Sequence, residues 1–375
     1  RMRVHRAHTV SVAELRQHLE TARAGRLVYG RQGPGNLRLY VYSNHCVFER
    51  AWSLATLCAR GLILDVAEKR IVATPFPKFF NLGERGEPVP DLPFRAYEKL
   101  DGSLIIIYHH GGVWRTATKG SFDSPQAQWA AAKLQTHDVS ALLPGTTYLA
   151  EAVYPENRIV VHYEEPALVM LGAYGADGVE VAHDRLSEVA AALGVRMAKT
   201  FEYTHVDHMA LHAKTLPRSE EGYVVRFENG LRLKIKGDEY KRIHALISNV
   251  TPLALWEAML SGDDLHAIKL ELPDEFRGDF EQIVGLLEAA LSHVVERTLT
   301  EVDRVKEWTD KELGLKLKTL DPKLQGLIFD VRKSGGKILE RRTRRKVFDR
   351  IRPTGNALAG YTPSYAMHRA LSNDG

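Results

Sequence analysis

The chain has 375 residues, of which 44% are hydrophobic, and 51 lysines and arginines against 47 acidic residues leave a formal net charge of +4. This length is sufficient for two domains, and no apolar run approaches the ~18 uninterrupted residues that a membrane span needs. Only Cys46 and Cys58 are present, which argues against a disulfide framework and a structural zinc site. Because the first residues also lack the apolar core of a secretion signal, we expect a cytoplasmic monomer without a membrane partner.

The predicted elements of the first two thirds of the chain are those of an α+β fold. A helix is expected to begin at the capping pattern Ser11-Val-Ala-Glu14 and to end at Gly25. Further helices are expected at about residues 124–136 and 184–193. Short strands are expected near residues 26–30, 37–43, 60–66, 94–98, 103–108, 113–118, 147–153, 167–173 and 223–236.

The sequence changes in character after Lys236. Thr251-Pro252 is typical of a helix start, and leucines and valines recur at helical spacing between residues 273 and 308. We therefore divide the chain into a first domain of residues 1–245 and a mostly α-helical C-terminal domain of residues 246–375.

The charge of the C-terminal domain is split along the sequence. Residues 251–310 carry a net charge of −9 and residues 311–353 a net charge of +9, with the densest basic run at residues 337–346. One interpretation is that the acidic and basic helices pair with each other. The other is an RNA-binding face, because clustered lysines and arginines neutralise phosphates without base-specific contacts. The sequence leaves both open.

Residues 97–103 form a pattern that is typical of nucleotidyltransferases. Lys99 stands two residues before Asp101-Gly102 and just ahead of an apolar run. A lysine attacks only when deprotonated, so its pKa of about 10.4 must be lowered by nearby cations or by desolvation. Asp101-Gly102 fits a tight turn in which glycine permits a positive φ. The alternative for this short pattern alone is a hairpin turn with a surface lysine.

Two lysines further along the chain predict an anion site. Strand alternation puts Lys234 and Lys236 on one face, where two ammonium groups repel each other unless an anion lies between them. Asn229-Gly230 indicates a hairpin that sets Glu221 and this lysine pair on adjoining strands. The alternative is a solvated edge strand guarded by lysines.

With these motifs in register, the chain resembles the covalent nucleotidyltransferase superfamily and, within it, the phage RNA ligase 1 family, whose prototype repairs cleaved tRNA. Arg60-Gly61 and the segment Pro77-Lys78-Phe79-Phe80-Asn81-Leu82 precede Lys99, whereas DNA ligases place their arginine-glycine motif after the lysine. The resemblance covers about residues 35–240. It implies a core of two antiparallel sheets, ATP and Mg²⁺ or Mn²⁺ as cofactors, and RNA as the partner.

The resemblance also implies a role for each matching residue. Lys99 would be adenylylated, Glu151 would contact the ribose, and Lys234 and Lys236 would bind the α-phosphate and pyrophosphate. Arg60, Lys78 and Lys119 would be cationic contacts to the nucleotide. Phe80 would pack near the adenine or in the core, and Gly102 would complete the nucleotide site. Asp101, Glu151 and Glu221 would hold the metal, largely through water.

The reaction that this implies has three steps. Lys99 takes AMP from ATP, the AMP passes to an RNA 5′-phosphate, and a 3′-hydroxyl displaces AMP to seal the strand. Such transfers depend on positioning and charge neutralisation. A GTP-dependent capping guanylyltransferase is one alternative, although a helical tail rather than an oligonucleotide-binding barrel follows the last motif. A non-catalytic RNA-binding protein on a ligase scaffold is the other.

Overall fold

The computed structural model describes residues 4–157 and 159–372. These residues form two compact units, one of residues 4–157 and 159–242 and the other of Ile243–Ser372. The first unit combines helices with sheets, and the second is helical. None of the described helices is both long and apolar enough to cross a membrane.

Within the first unit the described strands form three sheets. The strands are β1 (Val28–Gln32), β2 (Leu37–Tyr42), β3 (Arg60–Asp65), β4 (Arg70–Ala73), β5 (Phe80–Asn81), β6 (Phe94–Glu98), β7 (Ser103–His110), β8 (Val113–Ala117), β9 (Thr147–Val153), β10 (Ala167–Tyr174), β11 (Thr200–Phe201), β12 (Gly222–Phe227) and β13 (Arg232–Lys236). The first sheet has the order β1-β2-β3-β4, the second β10-β9-β7-β8, and the third β11-β6-β12-β13-β5. Paired strands are antiparallel, except that β13 and β5 are parallel.

Helices cover the sheets of the first unit and form most of the second unit. Those that begin in the first unit are α1 (Val12–Ala24), α2 (Asn44–Glu49), α3 (Leu54–Cys58), α4 (Pro125–Leu134), α5 (His183–Leu193), α6 (Val206–Ala213) and α7 (Asp238–Ser248). Those of the second unit are α8 (Pro252–Ser261), α9 (Leu265–Glu271), α10 (Asp274–Arg304), α11 (Asp310–Lys316), α12 (Gln325–Lys333), α13 (Arg341–Asp349) and α14 (Tyr365–Ser372).

The second sheet is buried on both faces, which explains the unbroken apolar run of β7. Ile105 and Ile107 pack with residues of α4 and α5 on one face. Ile106 and Tyr108 pack against residues of the first sheet on the other. Successive side chains of a strand point to opposite faces, so a strand between two apolar layers needs apolar residues at consecutive positions.

The α+β class and the antiparallel sheets are confirmed. The resemblance implied a core of two sheets, whereas the described strands form three, because β1–β4 make a sheet of their own. Strands β4, β5 and β11 fall where the sequence predicted none. The hairpin alternative for the segment around Lys99 is wrong, because β6 belongs to the third sheet and β7 to the second, so residues 99–102 cross between sheets.

The basic run of the second unit contacts both the acidic segment and its own neighbourhood. Arg344 donates hydrogen bonds to the carbonyl oxygens of Met259 and Leu260, at the end of α8. Lys346 pairs with Asp330 and Arg345 with Asp349. Among the described residues, no side chain of this run pairs with a carboxylate of residues 251–310. The predicted contact with the acidic helices is therefore found at Arg344, because α8 lies within residues 251–310, whereas the ion pairs of Arg345 and Lys346 are local. Elsewhere in the basic half, Arg332 pairs with Asp310 of the acidic half.

Candidate active site

Lys99 lies where the chain leaves the third sheet, and it is held among carboxylates. Its backbone N–H donates to the carbonyl oxygen of Gly222 at 2.9 Å, and its Nζ lies 2.5 Å from Glu221 Oε1. Burial alone would lower the pKa of Lys99, but the charges of Glu221, Glu151 and Asp101 outweigh burial and raise this pKa above its ordinary value. The expected lowering of the pKa is therefore absent, because acidic groups are the nearest neighbours of this lysine.

Glu151 and Gly102 meet at the first residues of β7. Glu151, on β9, accepts a hydrogen bond from the backbone N–H of Gly102 at 3.1 Å through Oε1. A Cβ atom at residue 102 would lie 2.3 Å from the carbonyl oxygen of Ala152. Gly102 does not have the positive φ that the sequence predicted; glycine is needed here because two backbones approach closely. Burial raises the pKa of Glu151 to about 7, against the opposing charge of Lys99.

The carboxylate of Asp101 joins three parts of the first unit. Oδ2 accepts hydrogen bonds from the backbone N–H groups of Val160 and Val161, each at 2.8 Å. Oδ1 accepts one from the hydroxyl of Tyr240 at 2.9 Å. The N–H of Asp101 donates to the hydroxyl of Tyr163 at 2.7 Å. Sequence reasoning did not single out either tyrosine. Tyr240 could have been considered because it follows Lys236 by four residues, whereas nothing in the sequence pointed to Tyr163.

The predicted lysine pair lies inside the third sheet. Lys234 opposes Val224 and Lys236 opposes Gly222 across β12, while β5 pairs with the other side of β13. The edge-strand alternative is therefore wrong. The predicted hairpin is confirmed: Gly230 has φ +85°, and the N–H of Phe227 donates to the carbonyl oxygen of Leu231 at 2.8 Å.

Cationic side chains converge around Lys234. Burial, followed by the charges of Lys78, Lys99, Arg60 and Lys236, lowers the pKa of Lys234 to about 6. Burial and the charge of Arg60 likewise lower the pKa of Lys78 to about 8. Five predicted site residues thus share one electrostatic cluster, and their mutual repulsion is the signature of a site that binds a polyanion.

Aromatic rings line this cluster. Nζ of Lys78 lies 5.4 Å from the ring centroid of Tyr42, and Nζ of Lys119 lies 5.9 Å from the same centroid. The predicted Phe80 is 8% exposed and packs edge-on against Trp52 at 5.4 Å. Its place beside the adenine stays a prediction.

Phe79, which sequence reasoning did not single out, lies between two cations of the cluster. Its ring centroid is 5.6 Å from Cζ of Arg60 and 5.8 Å from Nζ of Lys234. Cations over a ring face are attracted by its quadrupole. The only sequence signal was its place in the segment from Pro77 to Leu82.

Among the buried polar atoms of the site that have no hydrogen-bond partner in the described part of the chain, two belong to predicted nucleotide or metal contacts. They are Oε2 of Glu221 and Nε of Arg60. An unsatisfied buried carboxylate oxygen is suited to a metal ion or to a metal-bound water, so the acidic residues fit a divalent cation. No group of three or more described His, Cys, Asp or Glu side chains is arranged to hold a metal directly. These carboxylates are therefore better suited to bind a metal ion through its water ligands than to coordinate it directly.

Comparisons with known proteins point to one kind of enzyme. A family model described as RNA ligase matches residues 58–240. A protein of Autographa californica nuclear polyhedrosis virus, named for polynucleotide kinase and RNA ligase, is 29% identical over 235 residues, which cover 54% of this chain and 33% of that protein. The RNA ligase of Rhodothermus phage RM378 is 23% identical over 301 residues, which cover 60% of this chain and 68% of the phage protein.

A solved structure shares the fold. An archaeal ATP-dependent RNA ligase matches with a TM-score of 0.50 at 13% identity, over 73% of this chain and 79% of that one. Identity this low shows the fold alone, and the predicted nucleotidyltransferase fold is thereby confirmed. The chain spans 33% to 68% of the length of four curated relatives that it matches.

Proposed function

We propose that this chain, whose residues 58–240 match the RNA ligase family model, belongs to the phage RNA ligase 1 family. On that premise it is an ATP-dependent RNA ligase that joins 5′-phosphate and 3′-hydroxyl ends. The observation that carries the proposal is the cationic cluster around Lys234, which adjoins a lysine placed to attack a nucleotide. A triphosphate would supply the charge that this cluster lacks.

In the first step, Nζ of Lys99 attacks the α-phosphorus of ATP. A nitrogen–phosphorus bond forms, the bond to the bridging oxygen of pyrophosphate breaks, and AMP remains on the lysine. Because its pKa is raised, Lys99 begins the step protonated. Glu221 Oε1, at 2.5 Å, is placed to take the proton before attack.

The cationic residues hold the triphosphate in this proposal. Lys234 and Lys236 bind the α-phosphate and the departing pyrophosphate, while Arg60, Lys78 and Lys119 bind the remaining groups of the nucleotide. Bound phosphates would raise the lowered pKa values of Lys234 and Lys78, because an anion stabilises the charged form of an amine. ATP binding and protonation of these lysines are thus expected to be coupled.

The acidic residues divide into two groups. Glu151 and Glu221 would hold Mg²⁺, or Mn²⁺ in its place, largely through water, and the cation would neutralise charge on the triphosphate. Asp101, predicted with them as a metal contact, already accepts hydrogen bonds at both oxygens. We therefore assign Asp101 to positioning Lys99. Glu151 would also contact the ribose.

The later steps bring in the RNA. AMP passes from Lys99 to the 5′-phosphate of RNA, and a 3′-hydroxyl then attacks that phosphate and releases AMP. The second unit, Ile243–Ser372, is proposed to select the RNA, in line with a tRNA-repair role. Two buried free thiols, Cys46 and Cys58, accord with a cytoplasmic location.

Labelling with nucleotide tests the first step. The protein is incubated with Mg²⁺ and α-phosphate-labelled ATP or GTP, then separated by denaturing electrophoresis. We expect label from ATP on the parent and on Lys199→Ala, a variant of an exposed lysine outside the cationic cluster. Lys99→Ala and Lys99→Arg should carry none, because arginine stays protonated. Both should still seal RNA that already bears a 5′-adenylate.

The same experiment separates the competing functions. An adduct formed from GTP instead of ATP would identify a capping enzyme. If the parent takes no label from either nucleotide, the result would favour the alternative of a non-catalytic RNA-binding protein. Label on Lys99→Ala equal to that on the parent would refute Lys99 as the nucleophile.

A further inference from the structure

A cavity of the first unit lies beside the cationic cluster. It has a volume of about 160 Å³, and Lys78, Phe79 and Phe80 contribute to its wall. Neither Lys99 nor its acidic neighbours are among the described residues that line it. The cavity therefore shares Lys78 and Phe80 with the proposed nucleotide contacts but includes none of the residues around Nζ of Lys99.

The size of the cavity limits its occupant. An apolar cavity of about 150 Å³ holds benzene, whereas pockets that enclose a drug-sized ligand have volumes of about 300 to 1,000 Å³. At about 160 Å³ the cavity accepts one ring-sized group and excludes a complete nucleoside triphosphate. Leu57, Pro77, Leu231 and Leu233 supply an apolar wall that is suited to a planar base.

Three arginines among the lining residues give the cavity its charge. Arg6 is exposed, and its side chain makes no ion pair or hydrogen bond with the described residues. Arg85 is 40% exposed; it pairs with Glu87, another lining residue, at 3.6 Å, and its Cζ lies 4.7 Å from the ring centroid of Phe80. Arg232 is 7% exposed; it pairs with Glu180 but leaves a buried Nη1 without a hydrogen-bond partner. Arginines beside an aromatic wall are suited to a base with its phosphate.

The cavity continues a line of cations that begins at the nucleotide site. Arg232, Lys234 and Lys236 alternate along β13 and so share one face of the third sheet. Two residues of a strand span roughly 7 Å. A strand of RNA whose end lies at the lysines would thus bring its neighbouring nucleotide to the arginines.

We propose that this cavity holds the base of one nucleotide of the RNA strand near the joined end, with that nucleotide's phosphate on Arg6 and Arg85. The inference rests on the proposed ligase function and adds to it a subsite for single-stranded RNA. The subsite takes part in RNA binding and not in the adenylylation of Lys99.

The test compares RNA binding with adenylylation in the full chain. The variant is the double change Arg6→Ala and Arg85→Ala, and the matched control is Arg185→Ala, an exposed arginine of the same unit that does not line the cavity. Binding of a single-stranded, 5′-phosphorylated RNA is measured by fluorescence anisotropy over a range of salt concentrations, without ATP. Labelling by ATP is measured in parallel.

We expect the double variant to bind RNA at least about tenfold more weakly, because it loses both of the arginines that would hold the phosphate by charge-assisted hydrogen bonds. Its log-log salt slope should fall by about 0.7 for each lost phosphate contact. ATP labelling should match that of the parent, and the control should match the parent in both measurements. Leu231→Trp, which fills the cavity, should weaken RNA binding without changing the salt slope.

Three outcomes would overturn the subsite. The double variant could bind RNA with the affinity and salt slope of the parent, or lose ATP labelling while keeping RNA binding. Inorganic phosphate could compete with RNA as well as a nucleoside monophosphate does, which would show an anion site without a base. If the parent takes no label from ATP, the proposed ligase function is refuted. The labelling assay gives that result independently of the RNA-binding measurement that tests the subsite.

Discussion

At the scale of single residues, the positive charge of Lys234 destabilises the folded protein when no nucleotide is bound. Its pKa is about 6 in the folded chain and near 10.5 when unfolded, so the unfolded chain binds more protons between those values. Stability of the parent therefore rises with pH across that window. Lys234→Met should be more stable than the parent near pH 6, on the order of 1 to 3 kcal/mol after solvent screening, and the gain should disappear toward pH 10.5.

Thermal melts at several pH values check this, with Lys199→Met, an exposed lysine, as the control that should leave the melting temperature unchanged. The same Lys234→Met variant should lose adenylylation by about a hundredfold or more. A loss of stability instead of a gain would show that Lys234 supports the fold.

Gly102 should tolerate no side chain. The added methyl group of Gly102→Ala would meet the carbonyl oxygen of Ala152 at 2.3 Å, and backbone cannot move aside easily. We expect a lower melting temperature, because overpacking typically costs about 1 to 3 kcal/mol, together with a loss of labelling at Lys99. Gly278→Ala, in α10 with open space around it, is the matched control and should be neutral or slightly stabilising. Normal labelling of Gly102→Ala would contradict the close approach.

Sequence reasoning singled out Lys99, the proposed nucleophile, but not its electrostatic surroundings. The pattern around Lys99 is local, so the sequence suffices to recognise it. The raised pKa of Lys99 depends on Glu151 and Glu221, which lie far along the chain, on β9 and just before β12. The partners of Asp101 are equally remote, since Val160 and Tyr240 reach it from two other segments. Such contacts exist only after the sheets have formed.

At the scale of elements, the buried carboxylate of Glu180 ties β12 to β13. It pairs with Arg226 and Arg232 on those two strands. Burial alone would raise the pKa of Glu180, but the two arginines outweigh burial and lower it. Glu180→Ala would leave a buried arginine unpaired, and we expect a loss of about 3 to 5 kcal/mol in unfolding by denaturant.

The exposed pair of Glu188 and Arg185 provides the control, and Glu188→Ala should change stability by about 1 kcal/mol or less. Because the pKa of Glu180 is lowered, its contribution is present at neutral pH and is lost as the pH falls through the folded-state value. Equal effects of the two substitutions would show that the Glu180 cluster does not hold the strands together.

Strands were predictable where their own side chains alternate or run apolar. Lys234 and Lys236 share a face as expected, because a period of two follows from strand geometry. The two-residue strand β5 could not be predicted, since it exists only through its pairing with β13, which lies far along the chain. Its position matters, because this pairing sets the segment with Lys78 and Phe79 beside the lysine pair.

At the scale of the whole molecule, all the proposed nucleotide contacts lie in the first unit, and the second unit has a basic run of its own at residues 337–346. Arg344 contacts carbonyl oxygens of α8 and Lys346 pairs with Asp330, so both contribute to the fold of the second unit. Arg341 and Arg342 are exposed and make no ion pair with the described residues, and Arg345 has only an exposed pair. Substitutions within this short run can therefore test the contribution to stability and the proposed contribution to RNA binding separately.

Replacing Arg341, Arg342 and Arg345 together by glutamine should weaken binding of a structured RNA and flatten its salt dependence, by about 0.7 to 0.9 units of log-log slope for each lost phosphate contact. The melting temperature should stay unchanged, and Lys99 should still take AMP, because every predicted nucleotide contact lies in the first unit. Arg344→Gln, a single change of the same type within the same run, is the comparison, and it should lower the melting temperature since it removes the cap of α8. If the triple variant keeps the RNA affinity and salt slope of the parent, this run does not bind RNA and the second unit must select its substrate through another surface.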